Sequence, residues 1–250
     1  MAEPKAVTHL RELVEAKLPA PAWDWFVQSL ERIAEDPAAC PVRYAGAARR
    51  CGRGPLDLNP TRIGWRIDEA VRALLLYAVT PPLRIALAED VYHHGDRGER
   101  RAALKALDLL TEGPEGLWLV EDAVRSNDAT VIQAALGPYA ARHLRPAALR
   151  QAVLKCAFLS VPFASIPEVL DRTDDELVDL LIDFVRERIL AGRDVDGQII
   201  DVIATRPGRL AEADLTAEMG SDLPFRARAA RCVAERLALA GFPADAPRPK

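Results

Sequence analysis

The chain has 250 residues, half of them hydrophobic but only 6% aromatic, and it carries a formal net charge of −4. That balance supplies no concentrated basic face of the kind nucleic acid requires, and the weight of Ala, Leu and Arg favours small-residue helix packing over a β-sandwich. Cys40, Cys51, Cys156 and Cys232 are scattered without CxxC spacing, which argues against a zinc site or a disulfide framework and predicts reduced thiols in the cytoplasm.

The first residues read as a charged amphipathic helix, with Leu10, Leu13, Val14 and Leu18 on one stripe and Pro19 and Pro21 after it. A second helix is predicted over Trp23–Glu35, with Phe26, Val27, Leu30 and Ile33 on one side and the two indoles, Trp23 and Trp25, as packing anchors. Residues 36–60 hold four prolines and three glycines and read as an irregular connector, with at most a short helix over Ala45–Cys51. The Gly52-Arg53-Gly54-Pro55 corner is a turn, since no GK[ST] follows to make it a phosphate loop.

From Thr61 the helical spacing sharpens: Ile67, Val71, Leu74, Leu75 and Ala78 share one face, and Pro81-Pro82 ends the element. A further helix follows from Leu83 to about Tyr92. In the next, Arg101, Lys105 and Asp108 recur at steps of four and three among Ala and Leu, the pattern of a solvent face. Helices are predicted over Leu117–Arg125, Asp128–Leu136 and Ala147–Leu159. The longest, Asp174–Ala191, opens on Thr173-x-x-Glu176 as a capping box and stops at Gly192; Leu177, Leu180, Leu181 and Phe184 face inward. A short helix around Gly197–Ala204 and a last one over Pro224–Ala240 precede a proline-rich tail, 241–250, expected to be flexible. No alternating strand pattern and no apolar run of about 18 residues occurs, so no membrane span is predicted. The expectation is a single all-α domain over 1–240. Its helices should stack as antiparallel pairs in a degenerate HEAT- or armadillo-like α-solenoid, with an irregular helical bundle as the alternative.

Polar residues gather at the predicted corners, and each has two readings. Asp96 with Glu99 three positions on is a helix N-cap signature, and with Arg100 the two carboxylates could equally line a polar pocket. Ser126-Asn127-Asp128 offers three favoured capping residues before an apolar run, Asn127 and Asp128 being the candidates for a site. Tyr139 and His143 lie one helical turn apart, as a hydrogen-bonded structural pair or as site residues. Gln151 and Lys155 share one side of a helix, as a solvated stripe or the floor of a groove. Adjacent His93 and His94 lack a partner at metal-ligand spacing. Nothing in the motifs calls for a metal, a cofactor or a catalytic nucleophile.

Four segments, GDRGERRAALKAL, SNDATVIQAALGPYAARHL, LRQAVLKCAFLSVPFASI and DDELVDLLIDFVRERILAGRDV, together resemble the EboA family of bacterial and algal ebo gene clusters, the likeness running from about Ile63 to Asp201. The resemblance implies an all-helical cytoplasmic protein without a defined reaction. It also implies a cluster that moves or processes a secondary-metabolite precursor toward the cell envelope, beside a prenyltransferase-like membrane protein and sugar-isomerase-like and hydrolase-like enzymes. Where the family tends to place an aromatic-Asn-Gln start before its VLK helix, this chain has Leu149-Arg150-Gln151. Gln151 and Lys155 carry over; an asparagine role at position 150 does not.

Two readings of function stand. One is a non-enzymatic scaffold or binding protein that contacts sister proteins of the cluster or a small hydrophobic metabolite. The other is an enzyme or carrier whose pocket draws on the corner residues. A nucleic-acid-binding repeat protein is disfavoured by charge.

Overall fold

A computed structural model describes residues 3–56 and 64–242. Among them are fourteen α-helices and no strand. They are α1 (Lys5–Lys17), α2 (Ala20–Glu35), α3 (Cys40–Cys51), α4 (Ile67–Ala78), α5 (Pro81–His94), α6 (Arg97–Leu110), α7 (Leu117–Arg125), α8 (Ala129–Ala135), α9 (Pro138–His143), α10 (Pro146–Leu159), α11 (Asp175–Leu190), α12 (Gly197–Ile203), α13 (Pro207–Ala213) and α14 (Pro224–Leu239). The all-α class expected from the sequence is the class observed. The backbone groups into two compact units, Met1–Leu144 with Ala164–Pro167, and Arg145–Phe163 with Glu168–Lys250, where the sequence suggested one domain over 1–240.

Helix α4 is the centre of the first unit. Every residue from Asp68 to Leu76 is buried, because α1, α2, α3, α5 and α6 all pack on it. A helix enclosed on all sides must be apolar nearly all round, and Ala70, Val71, Ala73, Leu74, Leu75 and Leu76 meet that demand. Its neighbours range from α1 to α6, wider than the nearest-neighbour stacking of a regular repeat array.

Prolines open helices here more often than they close them. Pro21 sits in the first turn of α2, and Pro81 and Pro82 begin α5. The missing N–H costs nothing at that point, since the first turn has no intrahelical acceptor for it. The same logic corrects the reading of 36–60. Pro41 stands in the first turn of α3, a continuous helix from Cys40 to Cys51 that buries Tyr44, Ala47 and Cys51. An isolated antiparallel bridge then pairs Pro55 with Arg66. Positions 57–60 of the expected connector, and 243–250 of the expected tail, lie outside the described residues.

In the second unit α11 takes the central place, packing against α10, α12, α13 and α14 and burying Leu177, Val178, Leu181, Ile182, Phe184, Val185 and Ile189. Its cap differs from the expected one. Asp174, not Thr173, accepts the N–H of Leu177 (2.9 Å), while the Thr173 hydroxyl donates to the Val169 carbonyl. Gly192 ends the helix as expected, at φ +64°. Helix α13, unpredicted, fills part of the stretch between α12 and α14.

Candidate functional site

The least generic chemistry of the first unit lies inside it, between α4 and α6. Asp68, Glu69 and Arg72 fall in the first turns of an otherwise apolar helix, so burial forces each to find a partner. Glu69, only 1% exposed, accepts Lys105 Nζ at 2.7 Å and the Arg66 backbone N–H at 3.1 Å on one carboxylate oxygen, and Arg101 at 2.9 Å on the other. Lys105 Nζ also donates to the Gly64 carbonyl (2.9 Å) and stands 4.5 Å from the Trp65 ring. Burial opposes the Glu69 charge, but Lys105 and Arg101 outweigh it and hold the carboxyl below its ordinary range. Burial also pulls the Lys105 ammonium down, against the support of Glu69.

Arg72 carries the second branch. Its guanidinium meets Asp68 Oδ2 at 2.7 Å, donates from Nε to the Tyr44 carbonyl at 3.0 Å, and reaches Glu99 Oε1 at 3.4 Å. Tyr44, buried beside it, donates its hydroxyl to the Glu99 carbonyl at 2.6 Å. Glu99 therefore serves two masters: Oε1 answers Arg72, while Oε2 accepts the Asp96 N–H (2.9 Å) in a complete capping box, the Asp96 carboxylate taking the Glu99 N–H at 2.8 Å. Arg101 and Lys105 do not define a solvent face as their spacing suggested, because α4 covers that side of α6 and the Lys105 side chain is 7% exposed.

A model of the family described as metabolite traffic protein EboA matches residues 7–204. The chain belongs to the EboA family. No curated protein and no solved structure matches it. The family match covers α1 through α12 almost whole, so the buried network between α4 and α6 lies inside it, whereas α13 and α14 lie beyond.

The remaining predicted residues of this EboA-family chain fall at the two ends of α6 and on α10. At its start, Arg97 pairs with Asp128 (2.6 Å), and Asp128 caps α8 by accepting the Thr130 N–H and hydroxyl and the Val131 N–H. Asn127 is exposed one position earlier. Arg100 donates to the Tyr92 hydroxyl (3.0 Å), which donates to Asp122 (2.8 Å), and its guanidinium lies 4.6 Å above the Tyr92 ring. Asp96, Glu99, Arg100 and Asp128 thus share the N-terminal end of α6.

Tyr139 and His143 sit past the opposite end. The Gly116 N–H donates to the Tyr139 hydroxyl, which donates to the Gly113 carbonyl, both at 3.0 Å. The expected Tyr139–His143 hydrogen bond does not form: the rings lie 4.6 Å apart, tilted by 48°, and His143 Nε2 is buried without a hydrogen-bond partner. The 14 residues of α6 rise about 21 Å, so Asp96 and Tyr139 do not meet. Gln151 and Lys155 belong to the second unit, on α10, Gln151 exposed and Lys155 half-buried. Beside them Arg150 pairs with Asp174 (2.6 Å) and Glu176 (2.8 Å) and ties α10 to the start of α11.

Among the described residues no His, Cys, Asp or Glu group of three or more is arranged to hold a metal ion, and no helix is long and apolar enough to cross a membrane. His93 stacks on Trp118 (5.2 Å), and His94 Nδ1 lies 3.0 Å from the Asp90 carbonyl. Cys40 and Cys156 are pushed up to about 12, and Cys51 to about 11, by burial, which keeps those thiols protonated and unreactive. Cys232 is exposed.

Sequence reasoning missed Asp68, Glu69, Arg72, Arg101 and Lys105. A signal was present: three charges inside an apolar run on α4, and cations four residues apart on α6.

Proposed function

We propose that this chain is a non-enzymatic helical scaffold or binding protein of metabolite traffic, acting in the cytoplasm on a secondary-metabolite precursor bound for the cell envelope. Its partners are other proteins of the same gene cluster, a membrane-bound prenyltransferase-like protein among them, or a small hydrophobic metabolite. One observation carries the reading: Asp96, Glu99, Asp128 and Tyr139 each bond the chain's own backbone. Polar groups committed in that way set helix ends and fix a framework, the role of a rigid partner-presenting surface. Its solenoid-like presentation of successive helices is part of the same proposal.

A second reading rests on His143. A buried imidazole nitrogen without a partner in the chain is a group a ligand could satisfy, so a polar pocket at His143 and Tyr139 is the rival, as an enzyme or a carrier. Affinity purification from cells, with mass spectrometry of co-purified proteins and small molecules, separates them. The scaffold reading expects cluster proteins retained equally by wild type and His143→Ala. Recovery of a small molecule that His143→Ala loses, with protein partners absent from both, would replace it by the pocket.

A further inference from the structure

Helix α14 presents two contrasting faces. Inward, Ala227, Ala230, Val233, Ala234 and Leu237 are buried. Outward, Phe225, Cys232 and Leu239 recur at intervals of seven, which places them in one row along the helix. Phe225 is 48% and Leu239 86% exposed, and Leu223, just before the helix, is 41% exposed. The row continues onto the end of α11: Arg226 Nε donates to the carbonyl of Leu190, itself 45% exposed, and a Cβ at Gly192 would lie 2.5 Å from the Phe225 ring. Arg228, Arg231 and Arg236 flank the row on the exposed face, with Arg226 at its edge and Glu235 as the helix's one acid. A chain of net charge −4 therefore carries four arginines against one carboxylate on this helix.

The charge decides the occupant. A second copy laid on this face would set arginine rows against each other, with Glu235 on the helix and exposed Asp222 just before Leu223 as the two acids of this stretch against four arginines, and like charges at such spacing repel. The apolar side chains Phe225, Cys232 and Leu239 stand exposed in one row on the outer face of the helix. Phenylalanine and leucine that dip into an interface, with arginines beside them at the level of the phosphates, match an anionic bilayer surface. We propose that the outer face of α14 is a peripheral docking surface for an anionic phospholipid membrane. It lies outside the family match and stands independently of the function proposed above.

Co-sedimentation of the full chain with phosphatidylcholine vesicles, with and without phosphatidylglycerol, tests this. Binding is expected to the anionic vesicles alone. It should weaken at least about tenfold in Arg228→Glu/Arg231→Glu, since each arginine near such a surface contributes about 1 kcal/mol, and weaken in Phe225→Ser/Leu239→Ser. Arg49→Glu/Arg50→Glu on α3 is the control and should bind as wild type. All these side chains are exposed or half-buried, and matching thermal melts establish that each variant is folded. No retention on phosphatidylglycerol, equal retention on neutral vesicles, equal binding by the α14 and α3 variants, or a dimer in gel filtration that the α14 variants dissolve would each overturn the proposal.

Discussion

Glu69 on α4 and Lys105 on α6 form a 2.7 Å ion pair with both side chains almost wholly out of water. Each charge is tolerable only because the other is present, since removing a buried ion from water costs several kcal/mol. Arg101 and the Arg66 N–H complete the coordination of the carboxylate.

Removing one partner exposes that dependence. Glu69→Ala leaves Lys105 charged and buried without its counterion and should lower unfolding free energy by about 3–5 kcal/mol in urea titrations. A loss below about 1 kcal/mol would mean that Lys105 is easily rehydrated and that the pair is peripheral to stability.

The same pair predicts acid sensitivity. Burial raises the Glu69 carboxyl, but Lys105 and Arg101 bring it below its ordinary 4.5, and Asp128 and Asp174 are likewise held below 3.8, their hydrogen bonds and arginine neighbours overcoming burial. A folded-state value below the unfolded one means stability present above the unfolded value and lost as pH falls through the folded value. The melting temperature should therefore be flat above about pH 5 and fall below about 4.5. Glu69→Gln should flatten part of that fall, and an identical slope in both proteins would remove Glu69 from the explanation.

Tyr139 and His143 should behave differently although they touch. Tyr139→Phe deletes a hydroxyl that bonds Gly113 and Gly116 and strands two backbone groups, for a loss of about 1–3 kcal/mol. His143→Ala removes an imidazole whose Nε2 bonds nothing in the chain, and its melting curve should shift less than that of Tyr139→Phe. The reverse order would make His143 structural and end the pocket reading.

Two glycines give a paired backbone test. Gly192→Ala places a methyl in the left-handed region at φ +64° and 2.5 Å from the Phe225 ring, so a cost of at least about 1 kcal/mol is expected. Gly208→Ala, in a helix where nothing stands within 4 Å of the new Cβ, should be neutral or stabilising by up to about 1 kcal/mol. Equal shifts in thermal melts would show that neither the left-handed backbone nor the Phe225 contact makes Gly192 necessary.

What the sequence determines by itself are relations between residues a turn apart. Asp96 with Glu99 closes a capping box and Gly192 ends α11, because donor and acceptor lie within a few positions and helix geometry alone brings them together. Periodicity likewise reveals that α1 presents Leu10 and Val14 together and that α11 turns Leu181 and Phe184 inward. Even locally, two candidates side by side compete, and Asp174 took the cap that Thr173 could have held. Periodicity tells which residues share a face but not what covers it. Arg101 and Lys105 have the spacing of a wet stripe; α4, more than thirty residues away, makes them interior. Tyr139, one turn from His143, bonds instead to glycines more than twenty residues earlier. Only the tertiary structure decides such pairings, because the free energy of a buried charge or hydroxyl depends on which distant helix displaces the water around it.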